Sequence, residues 1–143
     1  MTIKPTLVLA YEFDAKPQKV FDAFTQPEHL NKWLVAGAQV NLQVGGRMTT
    51  SDGDNAKFIK VAVPRELVFT YSHPKLEVET EVDVTFKESP VLGRTQMRIV
   101  QKGLDAKKVS KESYAWMTDR WCWLAENLKR YIEKSSRDFV NSR

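Results

Sequence analysis

The sequence is poor in cysteine and has no long apolar run. Its one cysteine, Cys122, excludes an intramolecular disulfide framework and is typical of a reducing compartment. No run of about 18 apolar residues is present, so we expect no helix that spans a membrane. The first residues also lack the apolar core of a signal peptide. We therefore expect a cytoplasmic protein.

Residues typical of catalytic and metal sites are also scarce. The two histidines, His29 and His73, are separated by 44 residues without a His-Glu-x-x-His motif, so no metal site is predicted. Neither has a fixed relation to Cys122, which argues against a thiol nucleophile. The turn at residues 52–55 lacks the ligand spacing of a calcium loop, and Gly45-Gly46 lacks the GxGxxG pattern. No cofactor is expected, and the absence of a recognisable catalytic constellation favours a non-enzymatic role.

The composition fits one globular domain. The chain has 143 residues, of which 42% are hydrophobic and 28% charged, and we place a single domain at residues 1–143. The polar tail at residues 136–143 is expected to fray. The net charge of +4 is mild and accompanies no recognisable reading motif, so a nucleic-acid partner is not expected.

Alternation of apolar and polar residues predicts seven strands. The first covers residues 6–13, with Leu7, Leu9, Tyr11 and Phe13 on one face. The others are predicted at residues 39–44, 47–50, 57–63, 67–71, 78–86 and 94–102. In the fourth of the seven, the pattern places Ile59, Val61 and Val63 on one face. In the sixth, the apolar residues alternate with an acidic row expected to face solvent: Glu77, Glu79, Glu81 and Asp83.

Two short helices are predicted between the first and second strands. Pro17 suits the first turn of a helix because its missing N–H would have no intrahelical partner there. Pro27 ends that helix near Thr25 and precedes a second one, at residues 28–33, whose buried side includes Leu30 and Trp33.

One long amphipathic helix is predicted at residues 113–132. Steps of three and four residues join its apolar positions, which should face the sheet: Tyr114, Met117, Trp121, Leu124, Leu128 and Ile132. Asp105 or Ser110 could cap its start. Trp116 and Trp123 flank the apolar stripe, so either the helix is buried over a wide arc or this edge meets a partner chain, as in a homodimer.

The order of these elements predicts an α+β fold. Strands joined by hairpin-like turns form antiparallel sheets, and a single long helix must cover most of the apolar face. We expect a curved seven-stranded antiparallel sheet around one long C-terminal helix, with two short helices after the first strand.

Four parts of the chain resemble one known superfamily. Residues 17–33 are similar to its opening helices, and Gly45-Gly46-Arg47 to its glycine turn before a strand. Residues 63–71 resemble its signature hairpin, and Trp121 with residues 124–129 resembles its final helix. The chain thus resembles the START or birch-pollen-allergen-like (SRPBCC, helix-grip) superfamily, and within it the family named after the activator of the heat-shock-protein ATPase. One departure is Arg120, because that family often has glycine immediately before the helix tryptophan.

The resemblance implies a cavity between the long helix and the sheet that binds a hydrophobic small molecule, apolar, aromatic or lipid-like. Its expected lining comes from every part of the fold: Trp33, Phe58, Phe69, Tyr71, Val82, Met97, Met117 and Trp121. The alternative is that these side chains simply fill the core and contact one another.

Two other functions stay open because this superfamily carries unrelated activities on one scaffold. A polyketide-cyclase-type enzyme would need polar side chains that move protons, for which the candidates are Tyr11, Arg47, Tyr71, His73 and Arg98. A chaperone-activator-like adaptor, with a role in stress response, would instead bind a protein partner through the charged surface and the tryptophan-flanked helix.

Overall fold

The computed structural model describes residues 6–34, 37–91 and 93–141, with side chains described up to residue 134. Ten elements follow one another: β1 (Thr6–Phe13), α1 (Pro17–Thr25), α2 (Pro27–Trp33), β2 (Gln39–Val40), β3 (Arg47–Thr49), β4 (Asn55–Ala62), β5 (Glu66–Ser72), β6 (Thr80–Glu88), β7 (Thr95–Lys102) and α3 (Lys111–Asn141). The tail predicted to fray, residues 136–143, lies outside the residues whose side chains are described.

The strands form a single antiparallel sheet in the order β1-β7-β6-β5-β4-β3-β2. Each strand from β3 onward pairs with its predecessor, and β1 pairs with β7, so that β1 and β2 form the two edges of the sheet. One face is packed against the helices because apolar side chains alternate inward along β5, β6 and β7. The predicted α+β helix-grip fold is confirmed.

Two details of the predicted strands are wrong. Strand β2 ends at Val40 instead of residue 44, because the Gln43 N–H bonds the Asn41 carbonyl and begins a turn. In β4 the register shifts between Phe58 and Lys60, which leaves Ile59 unpaired and 45% exposed. A bulge of this kind turns the following side chains over, so Ile59 and Val61 do not share a face.

The start of the long helix is fixed by a side-chain cap. The Ser110 hydroxyl accepts a hydrogen bond of 3.1 Å from the Ser113 N–H, which would otherwise have no intrahelical partner. Ser110 and not Asp105 is therefore the cap. The expected stripe faces the sheet, with Met117, Trp121, Leu128 and Ile132 buried and Tyr114 and Leu124 half-buried.

Helices α1 and α2 close one end of the core. Helix α1 starts at Pro17 as predicted, and α2 starts at Pro27, just before the predicted start at residue 28. Phe21 and Phe24 of α1 contact Phe86 of β6 edge to face, with ring centroids 5.3 and 5.9 Å apart. In α2, the Trp33 Nε1 donates a 2.7 Å hydrogen bond to the Ala23 carbonyl, which joins the two helices.

Candidate functional site

The eight side chains expected to line a cavity lie together in one buried cluster. The most exposed is Trp33, at 8%. Phe58 and Phe69 face each other across β4 and β5, with ring centroids 6.2 Å apart. The structure thus brings these residues together, and their role in ligand binding stays a prediction.

A chain of buried hydrogen bonds crosses this apolar cluster. The Trp121 Nε1 donates to Gln101 Oε1 at 2.8 Å, which links α3 to β7. The Gln101 side-chain amide donates to Thr80 Oγ1 at 2.9 Å, and the Thr80 hydroxyl donates to the Tyr71 carbonyl at 3.1 Å. Gln101 is fully buried. A polar group in that position needs such partners, because burial without them costs about 1–3 kcal/mol.

The hydrogen bonds continue from Tyr71 back to the long helix. The Tyr71 hydroxyl donates to Asp54 Oδ1, and the Thr50 hydroxyl donates to Asp54 Oδ2 at 2.8 Å. Arg120 Nη2 donates to the same Oδ2 at 2.7 Å. Arg120 and Trp121 are consecutive residues of α3, so the series of hydrogen bonds begins and ends at the same place on that helix. We call this closed network the polar ring: Asp54, Tyr71, Thr80, Gln101, Arg120 and Trp121.

The ring contains a buried ion pair. The side chains of Arg120 and Asp54 are 12% and 8% exposed. Burial alone would raise the pKa of Asp54, but the hydrogen bonds from Tyr71 and Thr50 and the Arg120 charge together lower it. Burial, followed by the Asp54 charge, raises the pKa of Tyr71. At neutral pH the ring therefore holds an ionised carboxylate and a neutral phenol.

Aromatic side chains lie next to Arg120 at the solvent-facing edge of the polar ring. Its guanidinium lies over the Trp123 ring, 4.8 Å from the centroid, and also bonds Asp52 at 3.3 Å. On the other side His73 packs on Trp116, with centroids 4.3 Å apart. Trp116 is thus half-buried within the chain, whereas Trp123 is 41% exposed. Packing within the chain therefore explains the position of Trp116, and it leaves the exposure of Trp123 unexplained.

The five polar candidates for catalysis lie in several places. Tyr71 and His73 stack at a centroid distance of 6.5 Å. The Tyr11 hydroxyl donates to Cys122 Sγ at 3.5 Å, so the described partner of the thiol is a phenol and not a histidine. Arg47 bonds Asn55 on the adjacent strand at 3.1 Å. Arg98 is exposed on β7, opposite Ala10 and Thr85. Tyr71 and His73 are the one pair among the five that the described contacts bring together.

Sequence reasoning did not identify Asp54, Gln101 or Arg120 as a connected group. Asp54 follows a turn and Gln101 ends the alternation of β7, so each is unremarkable alone. One signal was available, since Arg120 directly precedes the sheet-facing Trp121 and a long cation there requires a buried counter-charge. The position of that counter-charge depends on how β3 and β4 approach α3, which only the structure gives.

The described residues offer little support for other kinds of site. Among the residues whose side chains are described, no group of three or more His, Cys, Asp or Glu is placed to hold a metal ion. No described helix has both the length and the apolar character needed to cross a membrane.

The seven-stranded sheet and the long helix packed on it define a helix-grip domain of the SRPBCC superfamily. More specifically, residues 14–133 match the model of the family described as Activator of Hsp90 ATPase homolog 1-like protein. This match covers most of the chain, and the protein therefore belongs to that family. No curated protein matches the sequence.

Several solved structures are similar in fold. CalU16 from Micromonospora echinospora is 16% identical, with a TM-score of 0.74 over 96% of this chain and 82% of CalU16. The Aha1 dimer from Colwellia psychrerythraea is 18% identical, with a TM-score of 0.74 over 90% of this chain and 96% of that one. An HSP90 activator from Plasmodium falciparum is 21% identical, with a TM-score of 0.65 over 72% and 76%. Identities this low establish the fold alone.

Proposed function

We propose that the protein is a small-molecule-binding module, acting in the cytoplasm, that holds an apolar or aromatic ligand between α3 and the sheet. The observation that carries the proposal is the polar ring within an otherwise apolar cluster. Ligand sites typically combine apolar walls with a few fixed polar groups that orient the ligand. Trp121, Gln101 and Tyr71 supply such groups here.

The bonding of the ring limits what the ligand can be. Most ring groups already bond one another, so a highly polar ligand would have to replace existing hydrogen bonds. Arg120 Nε is the exception, because it is buried and has no hydrogen-bond partner among the described residues. The ligand that fits is therefore mainly apolar or aromatic, with one or two hydrogen-bond acceptors.

A thermal-shift screen with fatty acids, flavonoids and polyketides tests the proposal. A ligand present at roughly 100 times its Kd adds about 2.7 kcal/mol to the stability of the folded state. We expect Trp121→Phe to weaken binding of each hit about tenfold, since it removes the bond to Gln101. The matched control, Trp123→Phe, changes an exposed tryptophan on the same helix and should leave binding within twofold. No shift with any compound, or equal effects of both variants, would contradict the proposal.

A chaperone adaptor is the second candidate function, and the family match supports it. The exposed Trp123 beside Arg120 is the type of side-chain pair that concentrates binding energy in protein interfaces. We expect stoichiometric binding to a purified Hsp90 and stimulation of its ATPase if this function is correct. Absence of both effects at micromolar concentration would exclude it. The cyclase-type alternative has less support, since only Tyr71 and His73 of its five candidates contact each other.

Trp123 would also suit a homodimer interface, and the similar Colwellia structure is a dimer. Size-exclusion chromatography with light scattering distinguishes a monomer from a dimer. We expect Trp123→Ser to convert a dimer to a monomer. Val44→Ser, which alters another exposed apolar side chain, should not. A monomeric wild-type protein at high concentration would refute the dimer.

A further inference from the structure

A concave region lies at one end of the sheet, apart from the eight-residue cluster and the polar ring. It is a groove of about 730 Å³, which is within the usual size range of ligand pockets. The tip of the β4–β5 hairpin, the end of β6 and Pro17 at the start of α1 form its walls. We call it the hairpin groove. It shares no residue with the site proposed above.

The hairpin groove carries a surplus of positive charge. Of its charged side chains, Lys60 and Glu66 form an ion pair of 2.6 Å and offset each other. Arg65 and Lys87 also line the groove, and neither side chain makes a hydrogen bond or ion pair with a described residue. Glu88 is the remaining acid. Asp83 adds a negative charge from outside the lining, where it bonds Glu66 of the Lys60–Glu66 pair. An anion is therefore attracted to Arg65 and Lys87, the two lining cations without a described partner.

Solvated lysine and arginine side chains are ordinary on any surface, but here apolar side chains lie beside them. Val63 is 52% exposed at the hairpin tip, next to the half-buried Pro64. Pro17 completes this wall across the groove. An apolar wall adjoining unpaired cations is complementary to a molecule that has both an apolar body and a negative charge.

The backbone holds the hairpin tip in place before any ligand binds. The Arg65 N–H bonds the Ala62 carbonyl at 2.7 Å, which closes the turn. The Arg65 carbonyl in turn accepts a 2.8 Å hydrogen bond from the Phe86 N–H on β6. Arg65 is thus anchored on both sides, so binding would cost less conformational entropy than in a free loop.

We propose that the hairpin groove is a binding site for a small amphipathic anion, with the carboxylate or phosphate on Arg65 and Lys87 and the apolar body on Val63 and Pro64. The planar guanidinium of Arg65 can donate two parallel hydrogen bonds to either anion, and Lys87 adds a point charge. Because carboxylates and phosphates share this geometry, the probe set must include both.

Titration of the ¹⁵N-labelled protein with decanoate, decyl phosphate and decanol, followed by amide chemical shifts, tests the proposal. We expect the two anions to shift amides at residues 60–66 and 85–88, and decanol to bind at least tenfold more weakly. The double variant Arg65→Glu/Lys87→Glu should weaken anion binding at least tenfold. Lys107→Glu reverses an exposed charge outside the groove and should change it less than twofold.

Two results would overturn the proposal: no anion-induced shifts at the groove residues, or shifts there that the double charge reversal leaves unchanged. The variant Trp121→Phe distinguishes binding at the hairpin groove from binding at the proposed interior site. Groove binding should survive that substitution even where the interior ligands lose affinity. Circular dichroism would establish that each variant is folded, which we expect because the substituted groove side chains are exposed.

Discussion

Arg120 occupies the position where the resemblance leads one to expect glycine. In this chain its guanidinium pairs with the buried Asp54 and lies over Trp123. A buried ion pair gives little net stability, because desolvation of both charges offsets their attraction. Removing one partner is costly, however, because the other charge then stays buried without compensation. The pair is therefore a feature that fixes how α3 lies on the turn between β3 and β4.

A double-mutant cycle measures this coupling. We expect Asp54→Asn and Arg120→Met each to cost about 3 kcal/mol of unfolding free energy in urea. The double variant should cost about 4 kcal/mol instead of an additive cost of about 6 kcal/mol, which corresponds to a coupling of about 2 kcal/mol. Asp52→Asn is the control, since Asp52 is exposed at the rim, and should cost less than about 1 kcal/mol. Additive costs in the double variant would show that the two charges are independent.

The sequence predicted the apolar part of the candidate site better than its polar part. All eight side chains selected from periodicity and resemblance lie in one cluster, because strand and helix periods determine which residues face inward. Asp54 could not be assigned in the same way. Its partners Tyr71 and Arg120 are 17 and 66 residues away, so no local pattern connects them.

The elements themselves follow closely from local chemistry. Pro17 and Pro27 start α1 and α2, and Ser110 caps α3. The bulge at Ile59 arises from how β4 pairs with β5, and its local trace is a break in the alternation, where the apolar Phe58 and Ile59 are adjacent. That break does not by itself decide which of the two side chains faces inward. Local signals therefore gave the type of each element, and sheet pairing decided its exact register.

The Ser110 cap allows a direct test of helix stability. Ser110→Ala removes the acceptor for the Ser113 N–H, and we expect a loss of about 1 kcal/mol in unfolding free energy. Ser110→Thr retains the hydroxyl and should stay within about 0.5 kcal/mol of wild type. Chemical denaturation followed by far-UV circular dichroism provides the measurement. Equal losses in the two variants would mean that the hydroxyl is not the stabilising group.

For the whole molecule, two carboxylates make stability depend on pH in opposite directions. The pKa of Asp54 is lowered, so its contribution is present above the unfolded value and is lost as pH falls below about 4. The pKa of Asp83 is shifted in the opposite direction. Burial and a hydrogen bond to Glu66 raise its pKa from 3.8 to about 6. Its contribution is present at low pH and is lost as pH rises through 6.

Asp83 is also the one member of the predicted acidic row that is not fully exposed to solvent. Glu77, Glu79 and Glu81 are exposed, whereas Asp83 is half-buried and its Oδ1 has no hydrogen-bond partner among the described residues. Lys60, Glu66 and Lys102 are the charged groups whose fields act on it. The two lysines favour its ionised form, and they do not fully offset burial and the neighbouring carboxylate. At neutral pH, Asp83 is thus ionised at a cost to stability.

Replacing Asp83 should therefore stabilise the protein at neutral pH and not in acid. Asp83→Asn keeps a donor for Glu66 without a charge, so we expect a gain on the order of 1 kcal/mol at pH 7.5, allowing for solvent screening of a half-exposed group. The gain should disappear by pH 4.5, where wild-type Asp83 is protonated in the folded protein. Urea midpoints at both values give the comparison. The control is Glu81→Gln, which changes an exposed residue on the same strand and should show no such pH dependence. An equal gain at both pH values for Asp83→Asn would mean that titration of Asp83 does not cause the gain in stability.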